Sequence, residues 1–387
     1  MLELQTYKNF ATSEIPICSN QRFRTIFRRH FLIHSHQSLG FRALLHQFCP
    51  HKNNHPLAFV NPKHCSTLKP IDFSKFYQLQ SAFGNFGGSL YLDGKPFPYS
   101  YLELSKPTGK YVDRTILKAI NLLSTKGFIH YAGNACSPGL QFPEISNSGH
   151  VAIDDANNCG VQIINVQGMP TISNAVTIPA EPFMNLEIRE SWKSFEDYIS
   201  NMSSKYRVRT NKVLKTTENY IVQPLSIQQA NEWIPQCAQM LGHTLKDKTL
   251  AISPNISAML HAFVKTLKEE FKIWGYYKDG TLCGFITAIE SNHGTYAMHL
   301  GLTDEAVEDS LYQRMLYDVI RYGIENQSQF VCLGRTATEI KSTMGAVPVE
   351  NSYLFFTKGK ILMWVIKGYK KYFHRTKSYQ IRSPFKE

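Results

Sequence analysis

Residues 282–346 decide the fold of this chain. They read LCGFITAIESNHGTYAMHLGL (282–302), TDEAVEDSLYQRMLYDVIRYGIENQ (303–327) and SQFVCLGRTATEIKSTMGA (328–346). The first piece predicts two strands joined by a polar turn at 291–294. The second predicts a helix, because apolar residues recur at spacings of three and four, namely Leu311, Met315, Leu316, Val319 and Ile320.

The third piece predicts a short buried strand at 330–333, then Gly334 and Arg335, then a short helix that contains Lys341 and ends at Gly345. The whole stretch is therefore strand, strand, helix, strand, helix. A strand–helix–strand unit places its two strands parallel, and ligands then bind outside their carboxyl ends. We expect a site near Leu300 and Gly334, where those ends lie.

A weaker copy of this layout occurs upstream. NLLSTKGFIHYAGNA (121–135) resembles the layout of IRYGIENQSQFVCLGRT (320–336), with a helix, a glycine or polar break, and a short strand. We predict an internal repeat, although two unrelated α/β segments would produce the same pattern. Since single cores stop growing near about 250–300 residues, we predict two α/β domains, 1–183 and 184–387, with a boundary near Pro179 and Pro182.

A basic helical segment opens the second half. Ser194 is predicted to cap a helix, and SSKYRVRTNKVLK (203–215) follows it. A helix would place Lys205, Arg209 and Lys212 on one face. That face either holds phosphates or is a solvated charged surface.

The C-terminal segment KILMWVIKGYKKYF (360–373) is amphipathic and basic. A basic aromatic tail of this kind can lie on an anionic membrane surface or contact nucleic acid. The alternative, which we favour from the sequence, is a closing helix that packs apolar residues inward, namely Ile361, Leu362, Trp364 and Val365.

Composition limits the remaining possibilities. The net charge of +12 favours anionic partners such as coenzyme phosphates, tRNA or an acidic membrane face, or it is ordinary solubilising charge. The eight cysteines form no CxxC pair, which predicts reduced thiols in a cytoplasmic protein. No apolar run reaches about 18 residues, and the first residues show no pattern typical of a secretory signal.

Residues 20–65 contain closely spaced histidines and cysteines, including His51, His55 and Cys65. Their spacings match no established zinc pattern, so ordinary loop histidines are favoured over a metal site. We predict no metal. The sequence also contains no nucleophile elbow, Walker loop or dinucleotide fingerprint, which disfavours hydrolase and nucleotide-binding functions.

GRTATEIKSTMGA (334–346) and SSKYR (203–207) resemble stretches of the FemAB-like branch of the GNAT N-acyltransferase superfamily, the wall-peptide aminoacyltransferases and their relatives. The resemblance implies two tandem GNAT-like domains with mixed twisted sheets flanked by helices, the first of them degenerate. It implies transfer of an acyl or aminoacyl group, from acyl-CoA or aminoacyl-tRNA, to an amine of an envelope precursor or a small metabolite. It also implies that Tyr206 and Arg207 lie near the site between the domains.

The further candidates for the site are Gly334, Arg335, Lys341, His299 and Tyr296. Arg335, just past Gly334 at a strand end, suits a carboxylate or phosphate bidentately, unless it forms an ion pair with Glu339 or another acid. Lys341 is expected to join it. His299 is a candidate general base or, as we favour, a structural histidine. Strand alternation predicts that Thr295, Ala297 and His299 share one face of their strand, with Tyr296 and Met298 on the other.

One departure from the GNAT pattern concerns the donor. Coenzyme-A-using members carry a glycine-rich pyrophosphate loop before the core helix, where this chain has GLTDEAVEDSLYQRML (301–316), with one glycine and four acids. Acids repel phosphates, so the donor stays open between acyl-CoA and aminoacyl-tRNA. The alternative function is a non-catalytic GNAT-fold protein that binds a polysaccharide or an anionic partner.

Overall fold

The computed structural model describes residues 160–245, 255–291, 294–372 and 379–386, together with shorter pieces between 75 and 132. All of them belong to one unit of the chain that begins at His64. The histidine- and cysteine-containing stretch at 20–65, with its zinc alternative, lies outside the described residues.

The described strands, numbered in chain order, form two sheets. They are β1 (Phe86–Leu92), β2 (Lys95–Tyr101), β3 (Ile129–Ala132), β4 (Val161–Gln167), β5 (Val176–Pro179), β6 (Phe183–Glu187), β7 (Ile221–Pro224), β8 (Phe271–Lys278), β9 (Thr281–Glu290), β10 (Gly294–Leu302), β11 (Phe330–Cys332), β12 (Val347–Val349) and β13 (Asn351–Phe356). The first sheet has the order β1-β2-β3-β4-β13-β5, and the second has the order β12-β6-β11-β10-β9-β8-β7.

The helices lie mostly in the second half. They are α1 (Phe195–Asn201), α2 (Ser204–Thr216), α3 (Ala230–Leu245), α4 (Ile256–Leu267), α5 (Asp304–Glu308), α6 (Leu311–Glu325), α7 (Thr338–Thr343) and α8 (Lys360–Tyr372). Among the described residues, none of these helices combines the length and the apolar character that a bilayer span requires. The predicted cytoplasmic location stays a prediction.

The two sheets repeat one pattern of strand pairing. From β1 to β5 the successive pairs are antiparallel, antiparallel, parallel, antiparallel and antiparallel. From β8 to β12 the second sheet has the same succession. The chain is thus an α/β protein with two mixed sheets flanked by helices, as predicted. The predicted alignment of the two repeats was wrong. β3 takes the place in the first sheet that β10, and not β11, takes in the second.

Each half of the chain contributes a strand to the other half's sheet. β6 follows β5 directly but lies in the second sheet, between β11 and β12. β13 follows β12 directly but lies in the first sheet, between β4 and β5. The division into domains 1–183 and 184–387 stays a prediction. β6 begins at the predicted boundary, and β13, which belongs to the second predicted domain, lies in the first sheet.

The exchanged strand β13 is held by a buried amide pair. Asn351, which is 2% exposed, donates its Nδ2 to the Glu181 carbonyl at 2.6 Å. Its Oδ1 accepts a hydrogen bond from the Asn165 Nδ2 of β4 at 2.9 Å. These bonds join the start of β13 to β4 and to the connection between β5 and β6.

Replacing Asn351 with alanine should lower the free energy of unfolding by about 1–3 kcal/mol, because the Asn165 amide and the Glu181 carbonyl would each lose a hydrogen bond. Urea denaturation measures this difference. The matched control is Asn326→Ala, since the Asn326 side chain is exposed and its amide bonds only the Tyr322 carbonyl, at 2.8 Å. Equal stabilities for the two variants would contradict a role for Asn351 in holding the exchanged strand.

Two hydrophobic clusters cover the two faces of the second sheet. Helices α3 and α4 bury Ile234, Leu260 and Phe263 against one face. Helices α1, α2 and α6 bury the other, and the five apolar residues predicted for α6 are all buried there. Ser194 caps α1, as predicted, with its side chain accepting from the Asp197 amide. Because both faces are covered, ligand access to this sheet is at strand ends.

The C-terminal helix α8 differs from the prediction. Ile361 is 72% exposed and Trp364 is 66% exposed, while Leu362 and Val365 are half-buried. The favoured interpretation, a closing helix with all four residues packed inward, was therefore wrong for Ile361 and Trp364. The helix packs beside β5, and the side that carries Ile361 and Trp364 faces solvent.

Candidate functional site

The parallel strands β10 and β11 pair only briefly. Their register runs from Gly294 opposite Phe330 to Tyr296 opposite Cys332, and β10 then continues alone on this side to Leu302. Beyond Cys332 the chain stays paired with β6, its neighbour on the other side, and the Leu333 amide donates to the Met184 carbonyl at 2.8 Å. The two strands therefore part at their carboxyl ends, where parallel sheets place ligands. We call this opening the β10–β11 cleft and define it by Ala297, Gly334, Arg335 and Lys341.

A β-bulge lies at the point of parting. Ala297 pairs with Ala288 and Leu300 with Ile286, so Met298 and His299 together lie opposite Thr287. A bulge of this kind bends its strand and changes which face a side chain takes. Met298 and His299 both contact the cluster on the α4 face. The predicted grouping of His299 with Thr295 and Ala297 was wrong, since simple alternation takes no account of the extra residue.

Lys341 lies at the cleft with its side chain withdrawn from water. The residue is 3% exposed, and its Nζ donates to the Arg335 carbonyl at 2.5 Å. A Cβ built on Gly334 would lie 3.6 Å from the Ala297 carbonyl oxygen and 3.9 Å from this Nζ. The ammonium thus lies beside the gap between the two strands, and a buried cation there can stabilise a developing negative charge.

Gly334 itself is suited to this narrow place. Its φ is +74°, a value that residues with a Cβ rarely adopt, and any Cβ would point towards the Ala297 carbonyl. Its carbonyl accepts from the Met184 amide at 3.1 Å. Glycine therefore keeps the cleft open while the backbone turns from β11 towards α7.

Arg335 connects the cleft to the first sheet. Its Nη1 donates to the Tyr353 hydroxyl of β13 at 2.6 Å, and its guanidinium lies 5.5 Å from the centre of the Phe183 ring. Burial lowers the pKa of Arg335, but the Tyr353 and Tyr131 hydroxyls and the Glu181 carboxylate outweigh burial, so that its pKa is raised. The residue is a fixed cation between the two sheets.

The Cys332 thiol and the Tyr296 phenol, on the last paired residues of β11 and β10, are unsuited to act as nucleophiles. Burial raises the pKa of the Cys332 thiol to about 11, although the Gly334 amide and the Lys341 ammonium act in the opposite direction. Burial likewise raises the pKa of Tyr296, whose ring packs edge-on against Phe330 at 5.5 Å. Only thiolates are good sulfur nucleophiles, so covalent catalysis by Cys332 at neutral pH is disfavoured.

His299 lies just past the parting of the strands, on the α4 side. It is 7% exposed, its Nδ1 is 3.3 Å from the Thr287 hydroxyl, and its ring meets Phe263 edge-on at 5.0 Å. Its backbone amide donates to the same hydroxyl at 2.9 Å. These contacts hold the imidazole firmly, and its role as a general base stays a prediction.

Tyr206 and Arg207 lie in α2, which covers the α6 side of the second sheet. Tyr206 packs against the cluster there, and Arg207 reaches the Ser200 and Met202 carbonyls at 3.5 Å each, the limit of a hydrogen bond. Among the described residues, no recorded contact joins either one to Arg335. Gly334, Arg335 and Lys341 are thus brought together, and the role predicted for Tyr206 and Arg207 stays a prediction.

The segment before α6 has a structure of its own. Instead of a glycine-rich loop, the chain forms the short helix α5, with Asp304, Glu305 and Glu308 exposed. Asp309 accepts hydrogen bonds from Lys278 at 2.9 Å and from Tyr220 at 2.7 Å. Carboxylates at this position disfavour a pyrophosphate, as the sequence indicated.

The sequence did not indicate several residues that lie around the cleft. Tyr131, Phe183 and Tyr353 belong to strands that only the paired sheets bring near Arg335. Asn185 is 6% exposed, pairs with Cys332 across β6 and β11, and has a buried Oδ1 without a hydrogen-bond partner among the described residues. A lone asparagine inside the apolar strand FMNLE was the available signal, since buried amides are normally bonded.

Neither a known protein-family model nor a curated protein sequence matches this chain. Solved structures similar to it include L-PGS from Bacillus licheniformis, with 9% identity and a TM-score of 0.42 over 77% of this chain and 92% of that one. FemX is similar at 10% identity and a TM-score of 0.38, over 49% of this chain and 65% of that one. A GCN5-related N-acetyltransferase from Kribbella flavida is similar at 8% identity and a TM-score of 0.33, over 52% of this chain and 70% of that one.

Proposed function

We propose that the protein is an N-acyltransferase that moves an acyl or aminoacyl group onto an amine in the β10–β11 cleft. The observation that carries this proposal is the parting of two parallel strands with the Lys341 ammonium buried at the gap. Beyond Tyr296, β10 presents backbone groups that no described strand pairs with on this side, and such groups seek partners. A flat carbonyl-bearing donor suits that edge.

N-acyl transfer requires few side chains of the protein. The amine nitrogen attacks the donor carbonyl, a C–N bond forms, and the C–S bond of a thioester or the C–O bond of an aminoacyl ester breaks. The amine proton leaves through a base and ends on the departing sulfur or oxygen. In this proposal Lys341 stabilises the oxyanion, Arg335 holds an anionic group of the donor or acceptor, and His299 is the predicted base.

The acceptor is proposed to be an amine of an envelope precursor or of a small metabolite. Arg335 supports an acceptor or donor that carries a carboxylate or phosphate, because its forked guanidinium binds such groups bidentately. The first sheet supplies Tyr353 and Tyr131 around it. In this proposal the cleft binds an anionic group at Arg335 and transfers the acyl group beside Lys341.

Aminoacyl-tRNA is the donor that the charges favour, and acyl-CoA is its competitor. The exposed acids of α5 oppose a pyrophosphate at the start of α6. On α2, by contrast, four exposed cations face solvent, namely Lys205, Arg209, Lys212 and Lys215. Exposed cations of this kind suit a tRNA backbone.

Filter binding of tRNA over a salt series tests the donor. The variant Arg209→Gln/Lys212→Gln/Lys215→Gln should bind tRNA more weakly, and the slope of log affinity against log salt should fall by about 2–3, as three lost phosphate contacts require. The matched control neutralises three lysines of α8, Lys360→Gln/Lys367→Gln/Lys370→Gln, and should keep the parental slope. Salt-insensitive or absent tRNA binding by the parent protein would leave acyl-CoA as the donor.

The second candidate is a non-catalytic protein that recognises a polysaccharide or an anionic partner. The acid-rich α5 favours it, since the usual phosphate-binding element is replaced. Mass spectrometry of metabolite extracts incubated with the protein and either charged tRNA or acyl-CoA separates the two candidates. If the parent protein consumes neither donor, and its extracts are the same as those incubated with Lys341→Met, the transferase proposal fails.

A further inference from the structure

The solvent face of α8 carries a stripe of cations around an exposed tryptophan. Lys360, Trp364, Lys367 and Lys371 follow one another at spacings of four, three and four, which places them on one side of the helix. Trp364 is 66% exposed, and Ile361 at the edge of the stripe is 72% exposed. Large apolar side chains between lysines on an open face are typical of surfaces with a partner.

Two grooves flank this helix. One, of about 490 Å³, lies between α8 and the connection from β4 to β5. It is lined on the α8 side by Lys367, Lys370 and Lys371, and its apolar lining comes from Met169, Pro170, Ile172, Ala175 and Val176. The other, of about 350 Å³, lies beside Trp364 and is also lined by Lys360 and Met363. Each groove therefore sets ammonium groups beside apolar walls.

The positive charge of α8 indicates that its partner is anionic. Residues 358–371 contain five lysines and no aspartate or glutamate. Among the described residues, the lining of both grooves includes no carboxylate, and Lys367 and Lys370 take part in no recorded ion pair. Three or more lysines on one face attract an anionic surface and repel a second copy of the same face.

The apolar groups distinguish a lipid surface from a nucleic acid. A phosphate backbone needs the lysines only, and would gain nothing from Ile361 or from Met169, which is 44% exposed. A bilayer surface would bind both the lysines and the apolar side chains. Tryptophan and isoleucine enter the acyl boundary, while lysine stems lie along the apolar region and keep their ammonium groups at the phosphates.

We infer that α8 and the adjoining β4–β5 connection dock the protein onto a bilayer surface that contains anionic phospholipids. The 13-residue helix, about 20 Å long, would lie in the plane of the headgroups. Trp364 would insert, and the lysine-rimmed grooves would receive lipid phosphates. This docking is separate from the transfer chemistry of the β10–β11 cleft and does not depend on it.

Tryptophan fluorescence of the whole chain provides a direct reporter. Of the four tryptophans, Trp192 and Trp233 are buried and Trp274 is half-buried, whereas Trp364 is mostly exposed. Vesicles of phosphatidylcholine with roughly 30% phosphatidylglycerol should shift the emission to the blue, and brominated lipids should quench it. Trp364→Phe should lose both responses. A blue shift that persists in this variant would overturn the assignment of the inserted residue.

Vesicle sedimentation tests the lysines. Lys360→Gln/Lys367→Gln/Lys370→Gln should weaken binding to the anionic vesicles by on the order of 100-fold, since each lysine near such a surface contributes roughly fivefold. The control Arg209→Gln/Lys212→Gln/Lys215→Gln removes the same charge from α2 and should bind nearly as the parent does. Equal losses in both variants would mean attraction by net charge alone and would overturn the inference.

Two further outcomes would also overturn it. One is failure of the parent protein to bind anionic vesicles at low salt. The other is loss of tRNA binding, but not of vesicle binding, in the α8 variant, which would assign this face to nucleic acid. Phosphatidylcholine vesicles without the anionic lipid should bind weakly in every case, because they lack the charge that the lysines require.

Discussion

Lys341→Met is expected to lower the transfer rate by about 100–1000-fold, the loss measured when an oxyanion donor is removed, and to leave the fold at least as stable. The expectation follows from the burial of the Lys341 ammonium at the gap between β10 and β11. Withdrawing an ammonium from water is costly, so an apolar side chain of similar length relieves that cost. Single-turnover kinetics and thermal denaturation on the same preparations measure both effects.

The control for this substitution is Lys265→Met on α4, where the lysine is exposed. It should change neither the transfer rate nor the melting temperature appreciably. If Lys341→Met unfolds several degrees earlier and keeps its transfer rate, then the lysine serves to satisfy the Arg335 carbonyl and its other neighbours. That result would remove Lys341 from the proposed mechanism.

Arg335→Ala is expected to weaken binding of the anionic substrate by roughly 2–4 kcal/mol, about 30- to 1000-fold, as when one partner of a buried charged pair is truncated. Arg335→Lys should recover little of this, because an ammonium cannot form the forked contact. Calorimetric titration of the donor or acceptor found by mass spectrometry provides the affinity. A melting curve on each variant provides the stability.

Tyr353→Phe is the matched comparison for Arg335. It removes the hydroxyl that accepts from the Arg335 Nη1 and leaves the positive charge in place. If Arg335 serves the substrate, this variant should lose far less affinity than Arg335→Ala. If Arg335 is structural, held by Tyr353 and by the nearby Glu181 carboxylate, then all three variants should melt earlier with unchanged affinity, and the site assignment would be refuted.

Local sequence patterns were sufficient for the elements around the site. The spacing of Leu311, Met315 and Val319 predicted α6, and those residues are buried in the structure. Gly334 follows β11, as predicted, and the structure gives it a positive φ. Such features depend on hydrogen bonds and dihedral preferences within a few residues, so the chain carries them wherever the element comes to lie.

Features that depend on distant neighbours could not be predicted in this way. The bulge at Met298 and His299 reversed the expected face of His299, because an unpaired residue depends on the partner strand as much as on its own sequence. The contacts of Arg335 with Tyr353 and Phe183 join the segment after β11 to β13 and β6. No periodicity within 334–346 could indicate them.

The sequence by itself determined the strand–helix–strand core and the place of Gly334, Arg335 and Lys341 at its end, since periodicity and turn residues act locally. It also determined the parallel pairing of β10 with β11, because a strand–helix–strand unit places its two strands parallel. Only the tertiary structure decided that β6 and β13 lie in each other's sheets and that Trp364 faces solvent. A strand such as FMNLE or NSYLFF can pair with many edges. Its choice is made by the burial of both faces and by bonds such as that of Asn351 to Asn165, which join residues far apart in the chain.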